Sequence, residues 1–152
     1  MQVDWNPSRW ISCKFKAPGV RYEVGISIFS GFIVWINGPF PAGQWHDITI
    51  FRRNLKRILL SCGEYVEADD GYRGEPDCIR TPTDLFITDN KKKLKCIARR
   101  RHETCNRRFK HWNSLQNAFR HSAKDHEFFF TAIAVMTQLE IENDNPLFQV
   151  QY

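Results

Sequence analysis

The sequence predicts an α/β fold, a mixed sheet flanked by helices, on three observations. Apolar residues alternate at Val20, Tyr22, Val24, Ile26 and Ile28, the period of a half-buried strand. Ile48, Phe51, Leu55, Ile58 and Leu59 recur at helical spacing, with Arg52, Arg53, Lys56 and Arg57 between them. A further strand pattern over residues 64–69 follows that helix, and strand–helix–strand order belongs to layered α/β chains. With 152 residues and 42% hydrophobic content, the chain is sized for one domain with its own core. Its 12 Phe, 5 Trp and 4 Tyr exclude a disordered chain.

In chain order, residues 1–18 read as irregular, with the Ala17-Pro18-Gly19 turn signal at their end. After the first strand, Ser30-Gly31 turns the chain into residues 32–36, a continuously apolar run expected to be buried on both faces and hairpin-paired with its predecessor. Residues 37–43 break regular structure with Gly38, Pro39, Pro41 and Gly43. Asp47 caps the helix that follows, and Gly63 stops it. Residues 73–90 hold two prolines and few periodic apolars, so they read as a loop. A long helix is expected over about residues 95–121, with Cys105, Phe109, Trp112 and Phe119 on one side and Arg99, Glu103, Asn106, Arg107 and Lys110 on the other. A last helix, about residues 126–141, is apolar enough to be largely buried.

The formal charge is +5, and its distribution says more than its total. Lys91, Lys92, Lys93, Lys95, Arg99, Arg100, Arg101, Arg107, Arg108 and Lys110 are ten of the 22 basic residues, and Glu103 is the only acid among positions 91–110. A block of that density suits an anionic partner or a solvated face. The five cysteines are scattered without a Cys-x-x-Cys pair, which points to free thiols in a reducing compartment. Cys96, His102, Cys105 and His111 fit no usual zinc spacing. The polar, Trp- and Pro-containing start is unlike a signal peptide, and residues 128–136 are too short a run to span a bilayer. The expectation is a soluble intracellular protein.

Two stretches carry chemistry. Residues 67–74, Glu-Ala-Asp-Asp-Gly-Tyr-Arg-Gly, read as a strand that delivers a carboxylate to its tip and then turns. Residues 99–108 read as a helix with one glutamate among arginines. Asp69 at the strand tip and Glu103 on the helix are expected to converge, because Mg²⁺ is held by one or two carboxylates plus phosphate oxygens. Each residue also has a plain reading. Arg99 and Arg107 sit four positions either side of Glu103, as in an ion-pair ladder, and Asp-Asp-Gly is ordinary turn chemistry. Of the two aspartates, Asp70 is expected to serve the turn and Asp69 to face the crevice. His46, Tyr72 and the Gly-Pro-Phe-Pro loop lie where a substrate could touch them.

Residues 11–152 resemble the C-terminal part of a DDE-superfamily transposase domain of the Harbinger-like type. The matching segments are residues 12–24 (Ser-Cys-Lys-Phe-Lys-Ala-Pro-Gly-Val-Arg-Tyr-Glu-Val), 31–41, His46-Asp47, Ile50-Phe51, 68–74, 101–110 and the closing Pro146-Leu147-Phe148-Gln149-Val150. The resemblance implies a ribonuclease-H-like mixed sheet flanked by helices, truncated at its N-terminus. It implies a DNA endonuclease or transposase site in the nucleus, where three carboxylates hold two Mg²⁺ or Mn²⁺ ions. Asp69 matches the family's second acid and Glu103 its third. The first lies upstream of the Lys-Phe-Lys segment, and Asp4 aligns only with the linker after it.

Without the strand that bears that acid, the hairpin and the strand ending at Asp69 are expected to expose unpaired edges through which copies self-associate. Two carboxylates against two cations are too few ligands, so the fragment is expected to be inactive. Lys91, Lys92, Lys93, Lys95, Arg99, Arg100, Arg107, Arg108 and Lys110 are expected to hold the DNA backbone without reading sequence. Target choice would then come from a separate DNA-binding subunit. The rival reading is a non-enzymatic nucleic-acid- or protein-binding module derived from a transposase.

Overall fold

A computed structural model describes residues 7–82 and 88–150. After a 3-10 turn at Pro7–Arg9 come β1 (Val20–Ile26), β2 (Ile33–Pro41), α1 (Asp47–Arg53), α2 (Leu55–Cys62), β3 (Val66–Glu67), β4 (Ile79–Arg80), α3 (Asp89–Lys110), α4 (Asn113–Gln116) and α5 (Ala123–Asn143). The α/β expectation holds at the level of a mixed chain with five α-helices and small sheets among the described residues. The single mixed sheet does not form there. β1 and β2 make an antiparallel pair, with Val24 opposite Ile36 and Gly25 opposite Trp35. β3 and β4 make a separate parallel pair, with Val66 opposite Ile79.

The hairpin follows the alternation in its first strand, but its second departs from expectation twice. β2 continues through the proline-rich segment to Pro41, opposite Val20. It is also not buried on both faces, since Val34 is 65% exposed. At the turn Gly31 has φ +78°, and a side chain there would meet the Arg101 guanidinium at 2.8 Å, so only glycine fits.

The helix expected over residues 48–59 is two helices. Asn54 leaves helical geometry (φ −128°, ψ −63°) and its amide donates to Asn37 Oδ1 at 3.2 Å, a side-chain tether that competes with the helical backbone. Gly63 ends α2 in the left-handed conformation, with its N–H bonded to the Leu59 carbonyl, so the stop signal holds. The loop expected over residues 73–90 contains β4 and the first two residues of α3, and residues 83–87 of it lie outside the described residues. α3 starts earlier than expected and ends at Lys110. There the His111 and Trp112 amides fold back on the last carbonyls, and Trp112 turns into the core. Phe119 is therefore not on α3; it packs edge-on against His126 and Phe129. α5 opens with a capping box between Ser122 and Asp125.

Buried side chains gather in two clusters. Cys105 and Phe109 of α3 meet Ile133, Ala134 and Ile141 of α5 and Leu147, with Val24, Ile26 and Ile33 of the hairpin against them. Phe51, Leu59, Cys78 and Ile79 form the other, with Ile48, Leu55, Val66, Ala68 and Tyr72 around it. Beside the first cluster Tyr22 stacks on Phe130 at 3.7 Å, and its hydroxyl bonds His126 Nδ1 at 2.9 Å. No described helix is long and apolar enough to cross a membrane. All five cysteines are free.

Candidate nucleic-acid interface and carboxylate groups

α3 owes its orientation to residues on its inner side. Ala98, Arg101, Cys105 and Phe109 are buried at spacings of three and four, one stripe of a helix. His102 Nε2 donates to the Val24 carbonyl at 2.9 Å, so its Nδ1 is the acceptor for the Asn106 amide at 3.2 Å. Arg101 Nη1 donates to the Ile28 carbonyl, and only 1% of the residue is exposed. These bonds to the hairpin fix the rotation of the helix and turn Glu103 outward, where it is exposed.

That rotation sorts the expected basic contacts. Lys92, Lys93, Arg99, Arg100, Arg107 and Lys110 are exposed, all within about 80° of Glu103 at about 100° per residue. Lys92 is loosely paired with Asp89 at 3.5 Å. Lys95 is buried and paired with Glu67 at 3.2 Å, so it serves the fold instead of a partner. Arg101 is likewise removed from the surface. Burial pulls its guanidinium below the usual arginine range, and its Nε and Nη2 have no hydrogen-bond partner. Arg108 is committed to the Asn145 and Pro146 carbonyls. The Lys91 side chain lies outside the described residues. No ion pair joins Glu103 to Arg99 or Arg107, so the expected ladder is not formed among the described residues.

Asp69 follows β3 and does the turn chemistry expected of Asp70. Its Oδ1 accepts from the Gly71 N–H at 2.9 Å, while Asp70 pairs with Arg73 at 3.1 Å. The neighbour that the fold brings to Asp69 is Asp47. A side chain at Gly71 would lie 2.9 Å from Asp69 Oδ1 and 3.2 Å from Asp47 Oδ2, so the two carboxylates flank one glycine. Asp47 does not cap α1: His46 is at the cap position, and Asp47 instead pairs with Arg21 at 2.7 Å. Tyr72 lies among these charges. Burial first, and then the charges of Glu23, Asp47 and Asp69, push its hydroxyl well above the usual tyrosine range.

Glu23 is the group the sequence hid. It occupies a polar position of the β1 alternation, where solvent is expected, yet it is 5% exposed. Its Oε2 accepts from Trp35 Nε1 at 2.8 Å, while Oε1 has no hydrogen-bond partner. Burial raises the carboxyl above its usual range, and the Asp47 charge adds to the rise. The Trp35 bond and the nearby Asn37 amide oppose it, although Asn37 Nδ2 itself makes no bond of acceptable geometry.

No three His, Cys, Asp or Glu side chains come together among the described residues as a metal-binding group. Near Asp69, its own Oδ1 accepts from the Gly71 N–H and Asp47 Oδ1 is held by Arg21. Asp4 lies outside the described residues. A crevice of about 60 Å³ between Pro82, Lys92, Lys95, Cys96 and Arg99 has room for about two waters, against the roughly 300 Å³ of a small-molecule site. The chain matches no protein-family model, no curated protein and no solved structure.

Proposed function

We propose that this chain is a DNA-binding domain of DDE-nuclease descent that grips the phosphate backbone through α3 and does not cut it. The observation that carries the reading is the outward face of α3, where six cations stand exposed around Glu103 among the described residues. A row of lysine and arginine along one helix face is the electrostatic footprint of a backbone binder. Asp69 and Glu103 are, on this reading, two members of the carboxylate set of a magnesium- or manganese-dependent endonuclease. Among the described residues no third His, Cys, Asp or Glu joins them in a metal-binding group, and paired cations in in-line displacement call for one. The place of action that follows is the nucleus.

Fluorescence anisotropy on a labelled duplex across a salt series tests it. About five neutralised phosphates give a log–log slope of roughly −4 to −5, indifferent to sequence. The double reversal Arg99→Glu with Arg107→Glu should flatten that slope by about 2. Supercoiled plasmid should stay unnicked in Mg²⁺ or Mn²⁺. Affinity flat between low and physiological salt would reduce the block to a solvated face, and nicking lost in both Asp69→Ala and Glu103→Ala would restore the enzyme.

A further inference from the structure

α5 carries two apolar faces, and among the described residues only one is covered. Phe130, Ile133, Ala134, Thr137 and Ile141 are buried, and at about 100° per residue they lie within about 60° of Thr137. On the opposite side Phe128 is 74% exposed, Val135 56% and Leu139 52%, with Ala132 also exposed and Met136 and Phe129 at 46% each along one border. No charged residue interrupts positions 128–139; charges begin at Lys124, Asp125 and Glu127 on one end and at Glu140 and Glu142 on the other. A helix apolar on all sides is normally covered on all sides.

We infer that a second copy of this chain covers this face, its α5 lying antiparallel across the first around a two-fold axis. Three features select that occupant. The first is charge. Lys124 and Glu142 lie at the two ends of the stripe, both about 40° to the same side of Phe128. A two-fold axis in the interface, perpendicular to the helices, therefore sets Lys124 of each copy beside Glu142 of the other. A parallel pair would oppose like charges instead. The second is register. Positions 124 and 142 are centred on 133, and positions 128 and 139 are centred between 133 and 134, so one axis satisfies both the ion pairs and the apolar stripe.

The third feature is size. The five large apolar side chains expose roughly 500 Å² on ordinary side-chain areas. With a polar rim in the usual proportion this becomes about 800 Å² per partner, a standard interface. A lipid surface fits less well, because Glu140, Glu142 and Asp144 crowd one end of the stripe and anionic headgroups would repel them. Self-association through α5 is independent of the DNA reading and differs from association through a sheet edge.

Sedimentation velocity on the whole chain, from about 1 to 100 μM, reads the equilibrium. The expected result is a species of twice the 18.0 kDa protomer mass at the upper end. Val135→Glu should leave only protomer with its helical circular dichroism intact. Lys124→Glu and Glu142→Lys should each weaken association about five- to tenfold, and the two together should restore it to about the wild-type value. Protomer at every concentration would overturn the inference. So would a dimer indifferent to Val135→Glu, which would place the contact elsewhere, or a double variant no better than the single ones.

Discussion

α3 and α5 are nearly equal in length, 22 and 21 residues, and pack the same core cluster from two sides. Their inner faces obey one rule, burying side chains at spacings of three and four. Their outer faces differ completely. α3 shows cations around a single glutamate, whereas α5 shows phenylalanine, valine, methionine and leucine. The inner faces thus account for the fold and say nothing about partners. The two partners we propose rest on the outer faces alone, an anionic polymer for α3 and a like apolar surface for α5.

The largest effects should come from where the helices are alike. Phe109→Ala on α3 and Ile133→Ala on α5 remove side chains from one cluster, each expected to cost about 3–4 kcal/mol in urea unfolding. A loss confined to whichever helix carries the change would show that the core is not shared. Next is a contrast within α3. Lys95→Ala removes a buried cation that pairs with Glu67 and should lower the urea midpoint while leaving the DNA affinity of the folded protein unchanged. Arg99→Ala should do the reverse. A loss of affinity with Lys95→Ala as great as with Arg99→Ala would erase the division between structural and presented cations.

Thr137→Val is a smaller test on α5. Its buried Oγ1 has no hydrogen-bond partner, so removing the hydroxyl should stabilise the protein by about 1 kcal/mol, seen as a higher urea midpoint. The smallest effect, Glu23→Gln, concerns the other face of the hairpin on which α3 and α5 pack. Burial raises the Glu23 carboxyl above its unfolded value, so the native state holds that proton more tightly. Stability from this group is present below the unfolded value and lost as pH rises through the folded one. The glutamine variant should remove that decline, and urea midpoints falling equally in both proteins from acid to neutral pH would assign it to other groups.

Elements with a long period were legible. β1 showed its alternation and Gly63 the end of α2, because each signal repeats locally or needs only one residue. The apolar density of α5 marked a helix, but the expectation that it is largely buried fails, since Phe128, Val135 and Leu139 are more than half exposed. β3 and β4 are two residues each, too short for any period, and their pairing is set by Cys78 and Arg80 carbonyls distant in sequence. The break at Asn54 was masked because Leu55 and Leu59 continue the helical spacing across it. The burial of Arg101 was legible and missed: it lies about 160° from Glu103, on the side of Cys105 and Phe109. The approach of Asp47 to Asp69 and the burial of Glu23 depend on how α1 and the turn after β3 fold over the hairpin. No local spacing records that.

The division of the buried residues into two clusters also bears on how the molecule opens. The cluster under α3 and α5 draws on two long helices and the hairpin, while the one around Phe51 and Cys78 is closed by short helices and a parallel ladder of two residue pairs. Regions with few backbone bonds and small cores open at a lower free energy than the molecule as a whole. The amides of Val66 and Ala68, bonded to the Cys78 and Arg80 carbonyls, should therefore exchange with deuterium well before those in the middle of α5. Each such opening releases Glu67 from Lys95 and parts Asp69 from Asp47, so the carboxylates would be remade and unmade with the weaker unit while the cationic helix stays folded.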